Sequence, residues 1–258
     1  MAWIETQSPS FAARHESGDA EAAGQVLERL EEFREEIGSR FPALPDEVTA
    51  IVHPGLWQLA LAHPWLPLAR WCAAPASRRY FAGWFSLREI HVLAPAALES
   101  QASGAPGSRE ALELAPLHEY AHLVVAANNP GLPPPFGMRG FPRYLRWAWL
   151  VEGAATWFSG QVPHLRAAVA RRLREGGKPD FPPSARDALV LGGTVYGLLD
   201  RAVGAQACVA LASSLDDRGA RAVIERAFEL PFLEVEAAWR EHLTAFAAGR
   251  ERARRRTS

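Results

Sequence analysis

The sequence predicts an α+β fold: a small mixed β-sheet lobe packed on an active-site helix, followed by a C-terminal helical lobe. Three observations point there. The first third of the chain alternates short β-branched runs with one long amphipathic stretch, the pattern of a β-α-β opening followed by a strand pair. An apolar, helix-forming segment then carries His118-Glu119-Tyr120-Ala121-His122, with a further acid, Glu152, thirty positions after His122. Beyond Gly160, apolar residues recur at helical spacing almost to the end of the chain.

Each element has its own signal. Residues 3–14 read as one strand, and Gly18-Asp19 turns the chain into a helix on which Val26, Leu30, Phe33 and Ile37 recur until Gly38. Residues 48–52 are a β-branched run between Pro45 and Pro54, hence a strand. Two short helical pieces at 57–62 and 66–72, broken at Pro64, precede a strand pair at 80–86 and 89–93. Residues 101–108, rich in Gly, Ser and Pro, form a loop from which Ser108 caps the next helix. Pro116 removes one helical hydrogen bond, so that helix either starts near Leu114 or kinks there. Residues 128–142 hold Pro130, three consecutive prolines from Pro133 to Pro135, and three glycines, which makes a loop of about fifteen residues. Two readings stand for its Phe136, Met138 and Phe141: they line a substrate groove, or they tuck onto the core.

Arg143, Arg146 and Trp147 open the helix that carries Glu152. Pro163 starts another, with Leu165, Val169 and Leu173 on one face and Arg171, Arg172 and Arg174 elsewhere. Ser184 caps the approach to residues 189–191, and Val195, Leu198, Leu199 and Val203 form the next stripe. Helical segments follow at 207–215 and 220–228, and the last starts at Pro231 with Val235, Trp239 and Phe246 inward. The chain thus divides into an α/β part at 1–107, the two active-site helices at 108–160, a helical lobe at 161–248 and a basic, disordered tail at 249–258.

Composition bounds the function. With 258 residues, 48% hydrophobic and 22% charged, the chain can bury a full core as one large domain or two lobes. A formal net charge of -1 gives no global field to recruit nucleic acid or an anionic membrane, and no aromatic residues are interleaved with the arginines of the tail. No stretch reaches the roughly 18 uninterrupted apolar residues of a membrane span. The first residues lack the basic region and apolar run of a signal peptide, so a cytoplasmic protein is expected, with export as the alternative if the start codon is misassigned. Cys72 and Cys208 stand alone in apolar surroundings, as reduced core thiols or as a single disulfide, and neither belongs to the metal site. Oligomeric state leaves no trace in the sequence.

The pentad carries the chemistry. At about 3.6 residues per turn, positions four apart share a helix face, so both imidazoles can reach one ion while Glu119 stands beside it. Two neutral imidazoles and one carboxylate make a three-ligand zinc site whose fourth position is free for water. The ion lowers the pKa of that water to about 7, and Glu119, offset by one residue, can take the proton and pass it to the leaving amine. The alternative, that these are hydrogen-bonded core residues, puts three polar groups into an apolar helix at a high burial cost.

The pentad, the stretch Trp149-Leu150-Val151-Glu152-Gly153-Ala154-Ala155-Thr156-Trp157 and the closing stretch Leu230-Pro231-Phe232-Leu233-Glu234-Val235-Glu236-Ala237-Ala238-Trp239-Arg240 resemble the gluzincins and, within them, the bacterial peptidase-MA-like family. The likeness runs from residue 3 to about residue 246. It implies a zincin-like fold, one Zn2+ per chain held by His118, His122 and Glu152, Glu119 as general base, and a peptide or protein substrate. It also implies an edge strand at 90–95 that pairs with an extended substrate, with His91 a surface or groove residue. Tyr196 is the candidate for stabilising the oxyanion, with Arg201 and His242 behind it, and Tyr120 points away from the metal. In thermolysin-like gluzincins an Asp stands one turn after the ligand Glu; here it is Thr156, which either accepts the same bond from a ligand His or bonds to its own backbone. The expected function is that of a zinc-dependent metallopeptidase, with endo- and exopeptidase activity not separated. The alternatives are a zinc-stabilised, non-catalytic binding protein that retains the gluzincin fold, and a purely structural helical domain.

Overall fold

The computed structural model describes residues 3–63, 65–136, 140–216 and 218–249, and among them lie a five-stranded mixed sheet and twelve α-helices. The fold is α+β. The opening segment is a hairpin rather than one strand: β1 (Trp3–Gln7) pairs antiparallel with β2 (Phe11–Glu16), and the Ser8 N–H donates to the Phe11 carbonyl across the turn at 2.8 Å. Pro9, which has no N–H for a ladder, marks the break. Helix α1 (Ala20–Gly38) buries Val26, Leu30, Phe33 and Ile37 and crosses over to β3 (Val48–His53), which lies parallel to β2.

Helices α2 (Leu56–Ala62) and α3 (Trp65–Cys72) follow, with Pro64 outside the described residues. After a 3-10 turn at Arg78–Tyr80, β4 (Gly83–Phe85) and β5 (Glu89–Leu93) pair antiparallel, and β5 lies parallel to β3. The strand order is β1-β2-β3-β5-β4, so the expected edge strand at 90–95 is interior and the edges are β1 and, beside β5, β4. The reason is visible in the side chains. Ile90, His91, Val92 and Leu93 are all buried, as in a strand covered on both faces, and His91 is therefore not the surface or groove residue it was expected to be.

Helix α4 (Pro95–Gln101) leads to α5 (Ser108–Glu113) and α6 (Ala115–Asn128). Ser108 does not cap α6; its hydroxyl accepts a hydrogen bond from the Ser103 N–H at 3.0 Å. Pro116 sits in the first turn of α6, where a missing N–H breaks no bond, so the helix starts there instead of kinking. Helix α7 begins at Gly140, before Arg143, and runs to Phe158. A 3-10 turn at Val162–Leu165 leads into α8 (Arg166–Arg174), where Arg172 is buried and grips both oxygens of Asp187 at 2.6 and 2.8 Å. Arg172, expected off the face of Leu165, Val169 and Leu173, is nonetheless buried because Asp187 supplies a planar, bidentate partner.

Helices α9 (Ala188–Ala202), α10 (Ala205–Ser213), α11 (Ala220–Phe228) and α12 (Phe232–Ala247) complete the fold, with Val235, Trp239 and Phe246 buried. Asp187, not Ser184, precedes α9, and no side chain caps it. Residues 250–258, the expected basic tail, lie outside the described residues.

Among the described residues, the larger of two apolar clusters runs from Phe11, Leu30 and Ile90 through Tyr120, Leu150 and Leu191 to Trp239, and the smaller gathers Leu59, Leu66, Leu93 and Leu112. Within the larger, α7 and α9 meet backbone to backbone: a Cβ on Gly153 would lie 2.7 Å from the Gly192 carbonyl carbon, and one on Gly192 would lie 2.7 Å from the Trp149 carbonyl oxygen. This close approach, one residue from Glu152, gives the Glu-Gly pair a physical reason. Both cysteines are free; Cys208 is buried, whereas Cys72 is exposed rather than in the core. Among the described residues, no helix is long and apolar enough to cross a membrane.

Candidate metal centre

Four-residue spacing on α6 brings the His118 and His122 rings together, with their Nε2 atoms 3.0 Å apart. Helix α7 presents Glu152 to both: Oε2 lies 3.4 Å from His118 Nε2, and Oε1 lies 3.5 Å from His122 Nε2. All three residues are buried, and one ligand atom from each lies within 4.8 Å of the others. Two atoms each about 2.1 Å from one tetrahedral ion stand about 3.4 Å apart, so these separations suit a single cation.

The protonation states of His122 and Glu152 also suit one. Burial drives the His122 ring down to about 3, which leaves its nitrogens neutral. Burial alone would raise the Glu152 carboxyl, but the His122 and His118 rings and a hydrogen bond from Tyr144 hold it down to about 2, so it is ionised. The His118 ring would be depressed by burial, but Glu152 and Glu119 raise it. Two imidazoles turned toward a buried carboxylate form a donor set that a divalent cation would neutralise and hold.

The Glu119 side chain lies against the edge strand. A Cβ on Gly83 of β4 would stand 2.7 Å from its Cγ and 2.8 Å from its Cδ, so only glycine leaves room for the carboxyl there. Burial pushes that carboxyl up to about 8, against the pull of His118 and with a further push from Glu152. Glu119 lines the same small cavity, about 20 Å³, as His118, His122 and Glu152. That volume is enough for about one water.

Tyr144, which the sequence reading passed over, is the phenol at this site: it lines the cavity and its hydroxyl donates to Glu152 Oε1. Tyr196 is placed elsewhere, which corrects its candidacy. It is fully buried, its hydroxyl donates to the Leu150 carbonyl at 3.2 Å, and it is absent from the cavity wall. The Gly153–Gly192 contact explains this, because a helix so close to α7 presses a tyrosine one turn later onto the α7 backbone.

Thr156 donates to the Glu152 carbonyl at 2.6 Å, the own-backbone alternative, and among the described residues His118 Nδ1 is left without a hydrogen-bond partner. Gln161 is buried and anchored by its amide nitrogen on the Ala111 carbonyl at 2.7 Å. Tyr120 points away, its hydroxyl accepting from Arg34 at 2.9 Å. Arg201 meets His242 at 2.6 Å, and neither lines the cavity.

Aromatic rings close the site. Phe85 stacks on His122 at 4.2 Å between centroids, and Phe136 packs against Phe85 and Tyr144 at 5.1 and 5.7 Å. Phe136 thus tucks onto the core, while Phe141 is exposed and Met138 lies outside the described residues. Set against protein-family models, curated proteins and solved structures, the chain matches none.

Proposed function

We propose that this chain is a zinc-dependent metallopeptidase of the gluzincin type, with a zincin-like fold, acting on a peptide or protein substrate. The observation that carries the reading is the convergence of His118, His122 and Glu152 in one buried cavity whose wall also holds the uncommitted carboxyl of Glu119. When bound, zinc would supply a Lewis acid that polarises a substrate carbonyl and makes water nucleophilic near neutral pH. His118 Nε2, His122 Nε2 and a Glu152 oxygen would hold it.

Beside a divalent cation the ionised form of Glu119 would be favoured against the effect of burial, and the carboxylate would then take the proton of the attacking water and return it to the amide nitrogen as that nitrogen leaves. Tyr144 fixes the Glu152 carboxylate through its hydroxyl. Phe85 and Phe136 keep bulk water off the reacting atoms. The backbone of β4, on the outer edge of the sheet beside Glu119, can pair with an extended substrate without reading its side chains.

A second reading, a zinc-stabilised binding protein without turnover, is favoured by one observation. A cavity of about 20 Å³ admits no peptide, so hydrolysis requires the Phe136 and Tyr144 side to move away from β4. A peptide-library digest with wild type and Glu119→Gln in parallel, with zinc content measured on both, decides between them. We expect about one zinc per chain in each, cleavage by wild type, and loss of cleavage by two to four orders of magnitude in Glu119→Gln. Zinc held with no cleavage by wild type establishes the binding protein; equal cleavage by both removes Glu119 as base.

A further inference from the structure

Next to the metal site lies a second cavity, larger and of different character. It occupies about 270 Å³ between α3, residues 81–84, the first half of α7 and the start of α9. Its far wall is Leu68, Cys72, Phe141, Leu145 and Ala148, and at its inner end it shares Phe81, Trp84, Tyr144, Glu152 and Leu189 with the metal-site cavity. The two cavities are therefore divided only by side chains that line both.

Three large apolar side chains stand at its mouth in contact with water: Leu68 at 48% exposure, Phe141 at 38% and Leu145 at 44%. Apolar groups gathered around an opening mark a contact surface, because leaving them in water is unfavourable. The charged groups on the wall are Glu152 and Arg186. The Glu152 carboxylate is taken up by Tyr144 and the two imidazoles, and Arg186 is exposed, so charge is confined to the two ends and the rest of the wall is almost entirely apolar. The volume falls just short of the roughly 300–1,000 Å³ of small-molecule sites, a size for one or two side chains rather than an extended ligand.

We propose that this pocket is the side-chain subsite that selects a large apolar residue, aromatic or branched aliphatic, of a peptide whose neighbouring bond is presented to Glu119. The second half of this statement rests on the metallopeptidase reading; the first half does not. The pocket explains how a chain whose edge strand binds any backbone acquires a preference. Tyr144 lines both subsite and metal site, so an apolar side chain in the pocket would lie against the same ring that walls the reaction cavity.

Cys72 makes the proposal testable without turnover, because it lines the pocket and is exposed, whereas burial takes Cys208 out of reach and pushes its thiol up to about 12. The full zinc-loaded Glu119→Gln chain is treated with iodoacetamide, and alkylation of Cys72 is followed by mass spectrometry. Two blocked peptides, identical except for Phe-Phe or Ala-Ala at the centre, are added in turn. The Phe peptide is expected to protect Cys72 at a concentration on the order of 10–100-fold lower than the Ala peptide. Ala69→Trp, which fills the pocket, is expected to bring the two peptides level. Leu68→Lys, a change at an exposed position that spares the core, is expected to weaken protection by the Phe peptide on the order of tenfold.

Equal protection by both peptides, protection by neither, or a preference untouched by both variants overturns the subsite. Cleavage of the same peptides by wild type separates the two proposals. Selective protection without cleavage keeps the subsite and removes the peptidase; cleavage without preference keeps the peptidase and removes the subsite.

Discussion

On α6, His118 and His122 turn toward the carboxylate of Glu152, whereas on β3 and β5, His53 and His91 turn toward each other and the ring of His63. Both groups are rich in buried histidine. In the second, His53 Nε2 and His91 Nδ1 are 3.0 Å apart, and the His63 ring stands edge-on to His91 at 4.0 Å. The nearest acid, Glu89, lies 3.7 Å from His91 Nε2 and is 42% exposed. Among the described residues, only His118, His122 and Glu152 bring three ligand atoms within 4.8 Å of one another.

The difference follows from secondary structure. Two residues four apart on a helix project from one face and aim at one point, while residues on adjacent strands lie side by side with stacked rings. A buried ionised carboxylate then completes the first group and is missing from the second. Histidine count alone therefore does not make a metal site; direction and a compensating charge do.

The largest effect tests this contrast directly. His118→Ala removes one of the three proposed ligands and is expected to lower bound zinc from about one per chain to under about a tenth, measured by atomic emission after gel filtration. His91→Gln is expected to leave zinc content unchanged. Equal losses in the two variants would erase the distinction between the clusters.

The next effect concerns how Glu119 is aimed. Since a Cβ at position 83 would collide with its side chain, Gly83→Ala is expected to displace the carboxyl and lower kcat on the order of 10–100-fold with zinc retained. The measurement is kcat against zinc content on the same preparation. An unchanged kcat would mean that β4 does not set the position of the base.

Much of the metal group was legible because it depends on local spacing. The pentad places two rings by helix periodicity alone, and the stripe Val235, Trp239 and Phe246 is buried as its spacing implies. What was missed depends on which elements meet across the chain. That β4 rather than β5 is the edge follows from pairing between β3 and β5, which β5's short apolar run does not announce. Tyr196 sits on an apolar stripe that does not say which helix it faces; the tandem Gly192-Gly193 four residues earlier was the available sign of close backbone approach. Tyr144 gave no such sign, since it lies in the first turns of a helix that begins earlier than its arginines suggest. Arg172 likewise depends on Asp187, fifteen positions away and outside its own helix.

The smallest effect belongs to the histidines outside the candidate metal centre. Burial pushes His53 down to about 4 and His91 to about 3, with His63 adding to both and His53 to His91, and His63 is itself lowered by burial. Glu89, the acid that faces His91, is half in water and leaves the direction unchanged. The folded chain therefore holds these rings neutral at a pH where the unfolded chain, with imidazoles near 6.5, takes up protons. Their contribution to stability is complete above about 6.5 and declines as the pH falls through the window between 6.5 and the folded values near 4 and 3. Lowering the pH from 7 to 5 should thus lower Tm, and His91→Gln, which keeps a polar side chain but cannot titrate, should shrink that drop on the order of a few degrees. The rest of the chain also responds to pH, so the quantity to measure is the difference between the two melting profiles, by calorimetry on zinc-loaded protein. Parallel profiles would mean that the strand histidines accept protons in the folded chain as readily as in the unfolded one, and the contrast with the α6 pair would then rest on geometry alone.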